Sequence, residues 1–197
     1  MRSLRGLTPS TINCVDLDKN IFNGVSSSGE SMTVRQPRRK DAREHKKAWN
    51  KLSEHSKYNY RRKYVPDKLY DSKKLCNARY HLGEVPGFLP LIMEVKDRIV
   101  GFGDMLFFYG DKFPQHKLES TDIGCSMTLC VLDKYQGLGY GSYYTPISTY
   151  IAEHFNANYA IGNTLVNGIV YKRRVEQGWE TVDILNNGYA IIRKRLI

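Results

Sequence analysis

The sequence contains no apolar run long enough to cross a membrane and no pair of cysteines in a CxxC motif. A transmembrane helix needs about 20 consecutive apolar residues, and the apolar stretches of this chain are much shorter. No histidine lies at metal-ligand spacing from any of the cysteines, so the sequence indicates neither a zinc site nor a disulfide framework. We therefore expect a cytoplasmic protein with reduced thiols, no metal and no membrane partner. The cysteines are Cys14, Cys76, Cys125 and Cys130.

The chain has 197 residues, of which 41% are hydrophobic, and this is enough for one domain with a substantial core. The first 30 residues are polar, and only residues 11–17 have a pattern that fits a short strand. We therefore predict a flexible N-terminal extension over residues 1–30 and a folded domain over residues 31–197. Met32, at the start of that domain, leaves open whether the extension is dispensable.

The net charge of +10 comes from one segment of the chain. Residues 35–74 contain fifteen Lys or Arg and five Asp or Glu, so the remainder is neutral overall. Aromatic residues are interspersed with these charges, and together they predict binding to RNA, through phosphates and stacked bases, or to an acidic protein. The alternative is a solvated helical face whose aromatic side chains turn into the core. These aromatic residues are Trp49, Tyr58, Tyr60, Tyr64 and Tyr70.

Hydrophobic periodicity and turn residues predict an α+β chain with a mixed sheet. Lys96-Asp97 and Asn187-Gly188 are expected to form the tight turns of two antiparallel hairpins. The predicted strands span residues 31–36, 88–95, 98–108, 122–132, 159–162, 181–185 and 189–195. The predicted helices span residues 41–57, 66–82, 142–155 and 167–177.

A glycine-rich loop joins the strand over residues 122–132 to the helix that follows it. The loop reads Gln136-Gly137-Leu138-Gly139-Tyr140-Gly141. Glycines at this spacing allow a tight turn in which backbone amides and the start of a helix face an anion. The loop lacks the Lys-Ser/Thr pair of a nucleoside triphosphate loop, and the preceding hairpin does not fit a dinucleotide-binding βαβ unit. A phosphate cradle and a purely structural turn are the two interpretations left.

These residues resemble the GCN5-related N-acetyltransferases, or GNAT proteins. The loop matches the family signature Q/R-x-x-G-x-G/A, and it follows a strand that ends in Leu129-Cys130-Val131. The helix that starts at Asn167 ends at Gly178-Trp179, which is similar to the family's asparagine helix ending in Gly-Phe. The resemblance extends from about Met32 to Arg195. It implies a mixed, mostly antiparallel sheet flanked by helices.

The resemblance also implies acetyl-CoA as the acetyl donor and an amine as the acceptor. The pyrophosphate would lie on the backbone amides of the loop, and the pantetheine arm along the strand before it. Asn167 would hydrogen-bond near that arm. The implied coenzyme-binding residues are Leu129, Cys130, Val131, Gln136, Gly137, Leu138, Gly139, Tyr140, Gly141 and Asn167.

Direct attack of an amine on a thioester requires a group that accepts the amine proton. The family often places a carboxylate on the strand before the loop, but residues 124–128 contain no acid. Asp122, at the start of that strand, is therefore the candidate base. Glu119 and His116, in the loop before it, are weaker candidates.

The leaving thiolate must also be protonated, a role that many family members give to a tyrosine four residues before the closing glycine. Arg174 occupies that position here, and Tyr171 lies one helical turn earlier. Tyr171 is therefore the candidate acid. These departures also support an alternative function: an inactive protein of the same fold that binds nucleic acid or an acidic protein through residues 35–74. The sequence leaves open whether the chain forms a homodimer.

Overall fold

The computed structural model describes residues 13–16, 21–25, 29–61 and 87–196. Their strands are β1 (Asn13–Asp16), β2 (Ile21–Val25), β3 (Ser31–Arg35), β4 (Gly87–Val95), β5 (Arg98–Tyr109), β6 (Ile123–Val131), β7 (Tyr159–Leu165), β8 (Glu180–Ile184) and β9 (Tyr189–Arg195). Their helices are α1 (Ala42–Asn50), α2 (Glu54–Arg61), α3 (Tyr140–His154) and α4 (Ile169–Glu176). The helix predicted over residues 66–82 lies outside the described residues.

All nine strands belong to one sheet with the order β1-β2-β3-β4-β5-β6-β7-β9-β8. β6 and β7 are parallel and pair only from Gly124 with Tyr159 to Ser126 with Ile161. The β1–β2, β2–β3, β3–β4, β7–β9 and β8–β9 pairs are antiparallel. The prediction of a mixed, mostly antiparallel sheet with flanking helices is therefore confirmed.

Both predicted hairpins are confirmed, and their turn residues explain why. Lys96 and Asp97 have φ values of 49° and 59°, as a two-residue turn between right-twisted strands requires. Gly188 has a φ of 79° in the turn between β8 and β9. Within the described residues, no helix is long and apolar enough to cross a membrane.

The chain packs as two compact units. The first contains residues 1–80, 89–104 and 128–148, and the second contains residues 81–88, 105–127 and 149–197. In the first unit, α1 packs its apolar side against β4, β5 and the end of β6. In the second, Trp179 packs against β7 and β9. The buried cluster under α1 consists of Ala48, Trp49, Leu52, Ile92, Phe102, Cys130 and Leu132.

The single helix predicted over residues 41–57 is wrong, because the structure has two helices there with a break between Asn50 and Glu54. The Ser53 hydroxyl accepts a hydrogen bond from the Ser56 amide at 3.1 Å, which caps the start of α2. A serine followed by an acidic residue is a start signal that the sequence carries at Ser53-Glu54.

Two strands lie on the N-terminal side of the boundary predicted at residue 30. β1 confirms the strand expected within residues 11–17, whereas β2 was not predicted. β2 pairs with β3 along its whole length, from Ile21 with Arg35 to Val25 with Ser31. A Cβ atom on Gly24 would overlap the hydroxyl of Tyr143, so this close approach to α3 requires glycine. The division into an extension and a domain stays a prediction.

Candidate functional site

The glycine loop in the first unit begins after β6 and a single 3₁₀ turn, Asp133–Tyr135, and it ends where α3 begins at Tyr140. Gly137 and Gly139 have φ values of 81° and 85°, which side chains with a Cβ atom rarely adopt. The predicted glycine spacing therefore corresponds to a real backbone requirement. α3 begins two residues earlier than the sequence predicted.

Within the described residues, four amides of this loop have no backbone acceptor: those of Gly137, Gly139, Tyr140 and Gly141. The Leu138 amide closes the hydrogen-bonded turn over Gln136 and Gly137. The flanking amides are bonded, because Gln136 donates to the Asp133 carbonyl at 3.2 Å and Ser142 donates to the Gly139 carbonyl at 3.1 Å. The start of a helix also carries about half a unit of positive charge. The arrangement can therefore bind an anion through the backbone alone.

Two glycines of the loop have open space beside their Cα atoms. Among the described residues, a Cβ atom on Gly141 would meet only the Leu129 Cδ2 atom, at the ordinary contact distance of 3.5 Å, and one on Gly137 would meet nothing within 4 Å. Packing against the described part of the chain thus does not require glycine at either position.

Asp133 and Gln136 join the loop to the start of α2. The Asp133 carboxylate accepts hydrogen bonds from the Ser53 amide at 2.6 Å and the Ser56 hydroxyl at 2.5 Å. The Gln136 side chain donates to the same carboxylate at 3.0 Å and to the Val131 carbonyl at 3.1 Å. The bonds from Ser56 and Ser53 lower the pKa of Asp133 below its usual 3.8, so the group is a carboxylate near neutral pH.

Tyr140 turns its side chain away from solvent, although its amide faces the open side of the loop. Its hydroxyl donates a hydrogen bond to the Glu30 carboxylate, which also lies 3.1 Å from the Lys96 ammonium. The hydrogen bond to Glu30 raises the pKa of Tyr140 to about 12. Sequence reasoning did not identify Asp133 or Glu30 as site residues, because Ser53 and Tyr140, their partners, are distant in the chain.

The end of β6 presents alternating faces before the loop. Cys130 is buried in the cluster under α1, and this burial raises the pKa of its thiol to about 12. Leu129 and Val131 are half-buried, with their side chains on the opposite face of the strand. Cys130 is therefore an inert packing residue, and only its backbone can serve a ligand.

The candidate acid lies in the second unit. The Tyr171 hydroxyl is 2.9 Å from the Thr181 hydroxyl, and the tyrosine ring packs against the cluster around Trp179. The guanidinium of Arg174 stacks on the Trp179 ring at 4.3 Å, and burial lowers the pKa of this arginine to about 10. Tyr171 therefore has a hydroxyl partner that can orient it, and Arg174 has a packing role.

The candidate bases also lie in the second unit. Asp122 accepts a hydrogen bond from the Glu119 amide at 3.0 Å, which closes the polar loop before β6. His116 is fully buried among aromatic rings, and burial lowers its pKa to about 4. Asn167 is exposed in the turn before α4. The predicted roles of Asp122, Asn167 and Tyr171 stay predictions.

No protein-family model matches the sequence, and no curated protein matches it significantly. Solved structures, by contrast, match most of the chain. The GNAT domain of PAT from S. lividans is 17% identical with a TM-score of 0.69, covering 90% of this chain and 97% of that one. PaiA N-acetyltransferase from Thermoplasma acidophilum, in complex with coenzyme A, is 12% identical with a TM-score of 0.53, covering 83% and 98%.

A third match is YncA from Salmonella typhimurium, solved with its cofactor acetyl-CoA. It is 14% identical with a TM-score of 0.53, covering 84% of this chain and 94% of that one. The chain therefore has the GNAT fold, and the resemblance first seen in the loop residues extends over the 83–90% of the chain that these structures cover.

Proposed function

We propose that this protein transfers an acetyl group from acetyl-CoA to the nitrogen of an amine. The observation that carries the proposal is the set of four amides without a backbone acceptor at the start of α3, those of Gly137, Gly139, Tyr140 and Gly141. A diphosphate is bound well by backbone donors at a helix start, where positive partial charge and open space coincide. The fold is consistent with it, since two structural neighbours are complexes with coenzyme A or acetyl-CoA.

In this proposal the loop holds the pyrophosphate through the amides of Gly137, Gly139, Tyr140 and Gly141. Gln136 shapes the loop instead, because its amide donates to the Asp133 carbonyl and its side chain is bonded to Asp133 and Val131. Backbone amides among Leu129, Cys130 and Val131 bind the pantetheine arm and polarise the thioester carbonyl. Asn167 is assigned to the same arm by resemblance alone.

The reaction forms a carbon–nitrogen bond and breaks a carbon–sulfur bond. The amine nitrogen attacks the carbonyl carbon, the carbon–sulfur bond breaks, and the amine gives up one proton while the thiolate gains one. Tyr171 is the proposed donor to the thiolate, and Asp122 or water the proposed acceptor from the amine. The products are an amide and the free thiol of coenzyme A.

The experiment is a thiol-release assay with acetyl-CoA and a panel of primary amines, run beside calorimetry with acetyl-CoA alone. We expect measurable binding and amine-dependent thiol release. Absence of both heat and thermal stabilisation would remove the proposal.

A second candidate function is binding without catalysis, and the acid-free stretch of β6, residues 124–128, favours it. Calorimetry separates the two functions. Coenzyme binding without transfer to any amine would favour this second candidate over the enzyme.

A further inference from the structure

The outer side of α1 and the turn before it form a surface of nearly one charge. Between residues 38 and 51, every lysine and arginine side chain is exposed, and Glu44 is the only exposed acid. Glu44 pairs with Lys47 at 2.6 Å. The other six have no ion pair within the described residues: Arg38, Arg39, Lys40, Arg43, Lys46 and Lys51. We refer to these six residues as the cationic face.

This face is more uniform in charge than the sequence suggests, because the Asp41 side chain is buried inside the protein. Asp41 is buried and binds the buried Arg35 through two contacts, at 2.7 and 3.1 Å. Glu94 completes the pairing of Arg35 at 2.7 Å. Burial alone would lower the pKa of Arg35, but these hydrogen bonds outweigh it and raise the pKa. Asp41 is thus held by Arg35, and of the six residues in the cationic face only Arg38 interacts with it, through the Arg38 amide at 2.5 Å and the charge of its side chain.

The apolar residues of α1 are equally unavailable to a partner. His45 and Trp49 lie 4.8 and 5.9 Å from the ring of Phe102, and Ala48 is buried beside them. The aromatic residue that the sequence offered for base stacking on this helix, Trp49, therefore packs into the core. Within α1 and the turn before it, the exposed side chains therefore offer a partner charge without apolar or aromatic contacts.

That composition discriminates between classes of partner. Protein interfaces concentrate aromatic residues and methionine and are depleted in lysine, whereas interfaces with nucleic acids are polar and strongly positive. Single strands are usually held by stacking on aromatic rings, and membrane-surface helices insert an apolar face into the lipid. α1 offers none of these features. The remaining class is the phosphate backbone of a duplex, which is recognised by charge alone.

We propose that the cationic face binds the phosphate backbone of a double-stranded nucleic acid, independently of its sequence. The charged positions recur at each helical turn from Arg39 to Lys51, a length of roughly 18 Å at about 1.5 Å per residue. This length spans about five phosphates of one strand at about 3.4 Å each. The interaction requires no coenzyme, so it stands or falls separately from acetyl transfer.

The test is a fluorescence anisotropy titration of the full chain with labelled 20-base-pair DNA and RNA duplexes at increasing KCl. We expect log K to fall against log salt with a slope of about −4 to −5. Arg43→Glu with Lys46→Glu should weaken binding at least tenfold and reduce the slope by about 2. The matched control is Lys172→Glu with Arg173→Glu on α4, which changes the net charge equally and should leave binding within about twofold.

Melting temperatures of both double variants establish that they fold. Equal weakening by both double variants would overturn the proposal, because net charge rather than this face would then be responsible. Absence of duplex binding at low salt would overturn it as well. Tighter binding of a single strand than of a duplex would overturn the proposal and indicate a single-stranded ligand held by stacking. Tighter binding of polyglutamate would overturn it as well and indicate an acidic protein as the partner. The DNA and RNA arms decide which duplex is preferred.

Discussion

α3 and α4 each follow a strand of the same sheet, but the starts of these two helices differ in what they present. α3 begins after left-handed glycines and offers four amides without a backbone acceptor, those of Gly137, Gly139, Tyr140 and Gly141. α4 begins at a glycine cap with extended backbone, Gly168, and its first two residues, Ile169 and Val170, are exposed apolar side chains. The α3 start thus follows left-handed glycines, whereas the α4 start carries two exposed apolar side chains beside its amides.

A helix start can bind an anion when no side chain covers its backbone amides. At α3 the glycines place no side chain over their amides, and two of the loop's side chains are bound elsewhere, Gln136 by Asp133 and Tyr140 by Glu30. Leu138 is the exposed apolar side chain of this loop. At α4 the side chains stay at the surface. Substitutions in the two units test this contrast.

Gly139→Glu should abolish acetyl-CoA binding, with an affinity loss of at least about a thousandfold. The residue adopts a φ of 85°, which strains any side chain, and the new carboxylate would oppose a diphosphate at a cost of several kcal/mol. Calorimetry measures the loss. The control is Gly188→Glu, which has a φ of 79° and nothing within 4 Å in the β8–β9 turn. Equal affinities for the two variants would mean that the loop is not the coenzyme site.

Tyr171→Phe should lower kcat by about a hundredfold and leave the KM for acetyl-CoA unchanged, because only proton transfer is lost. Thr181→Val is the control, since it keeps the tyrosine hydroxyl and removes the partner at 2.9 Å. It should change kcat by only a fewfold. An unchanged kcat for Tyr171→Phe would mean that Tyr171 is a packed aromatic residue and that water or another group protonates the thiolate.

Asp133→Ala should raise the KM for acetyl-CoA by about tenfold and change kcat little. The carboxylate holds Ser53, Ser56 and Gln136, so its loss frees the loop without removing any of the loop's amides. Asp183→Ala is the control, because that side chain accepts only from its neighbouring amide on β8. A KM equal to that of the wild type would show that the loop keeps its shape without the contact to α2.

Each unit contains a buried histidine among its described residues. We therefore expect both histidines to make the free energy of unfolding depend on pH in the same direction. Burial lowers the pKa of His45 and of His116 from about 6.5 to about 4. The unfolded chain therefore takes up these protons first, and the free energy of unfolding falls as the pH decreases from 6.5 to 4. The slope approaches about 1.4 kcal/mol per pH unit for each histidine.

Urea unfolding at several pH values measures that slope. His45→Asn and His116→Asn should each lower it by the contribution of one proton. A slope unchanged in either variant would contradict the burial of that histidine. Asp41, whose pKa is lowered, loses its contribution only as the pH falls further, below its ordinary value of 3.8.

The loop could be predicted from sequence because its determinants are local. Gly137 and Gly139 supply the backbone conformation within a few residues of the helix they precede, and Lys96-Asp97 does the same for a hairpin. Such signals depend on φ preferences that each residue carries with it.

The rest depended on contacts between distant residues. The break between α1 and α2 is reinforced by Asp133, 80 positions from Ser53, and Tyr140 is fixed by Glu30, 110 positions away. The aromatic Trp49 was offered for base stacking, but its burial against Phe102 is decided by packing. No local sequence pattern carries information about contacts between distant residues. The roles of the catalytic residues therefore stay predictions, whereas the backbone conformation of the loop is described by the structure.

The central claim is that the backbone amides of the loop bind the diphosphate of acetyl-CoA. Amide chemical shifts in a nitrogen-15 NMR titration test it most directly, with S-acetyl-pantetheine, which lacks the diphosphate, as the comparison ligand. We expect large changes in the amide chemical shifts of Gly137 to Gly141 with acetyl-CoA and small changes with S-acetyl-pantetheine. Unmoved loop amides in a protein saturated with acetyl-CoA would contradict it.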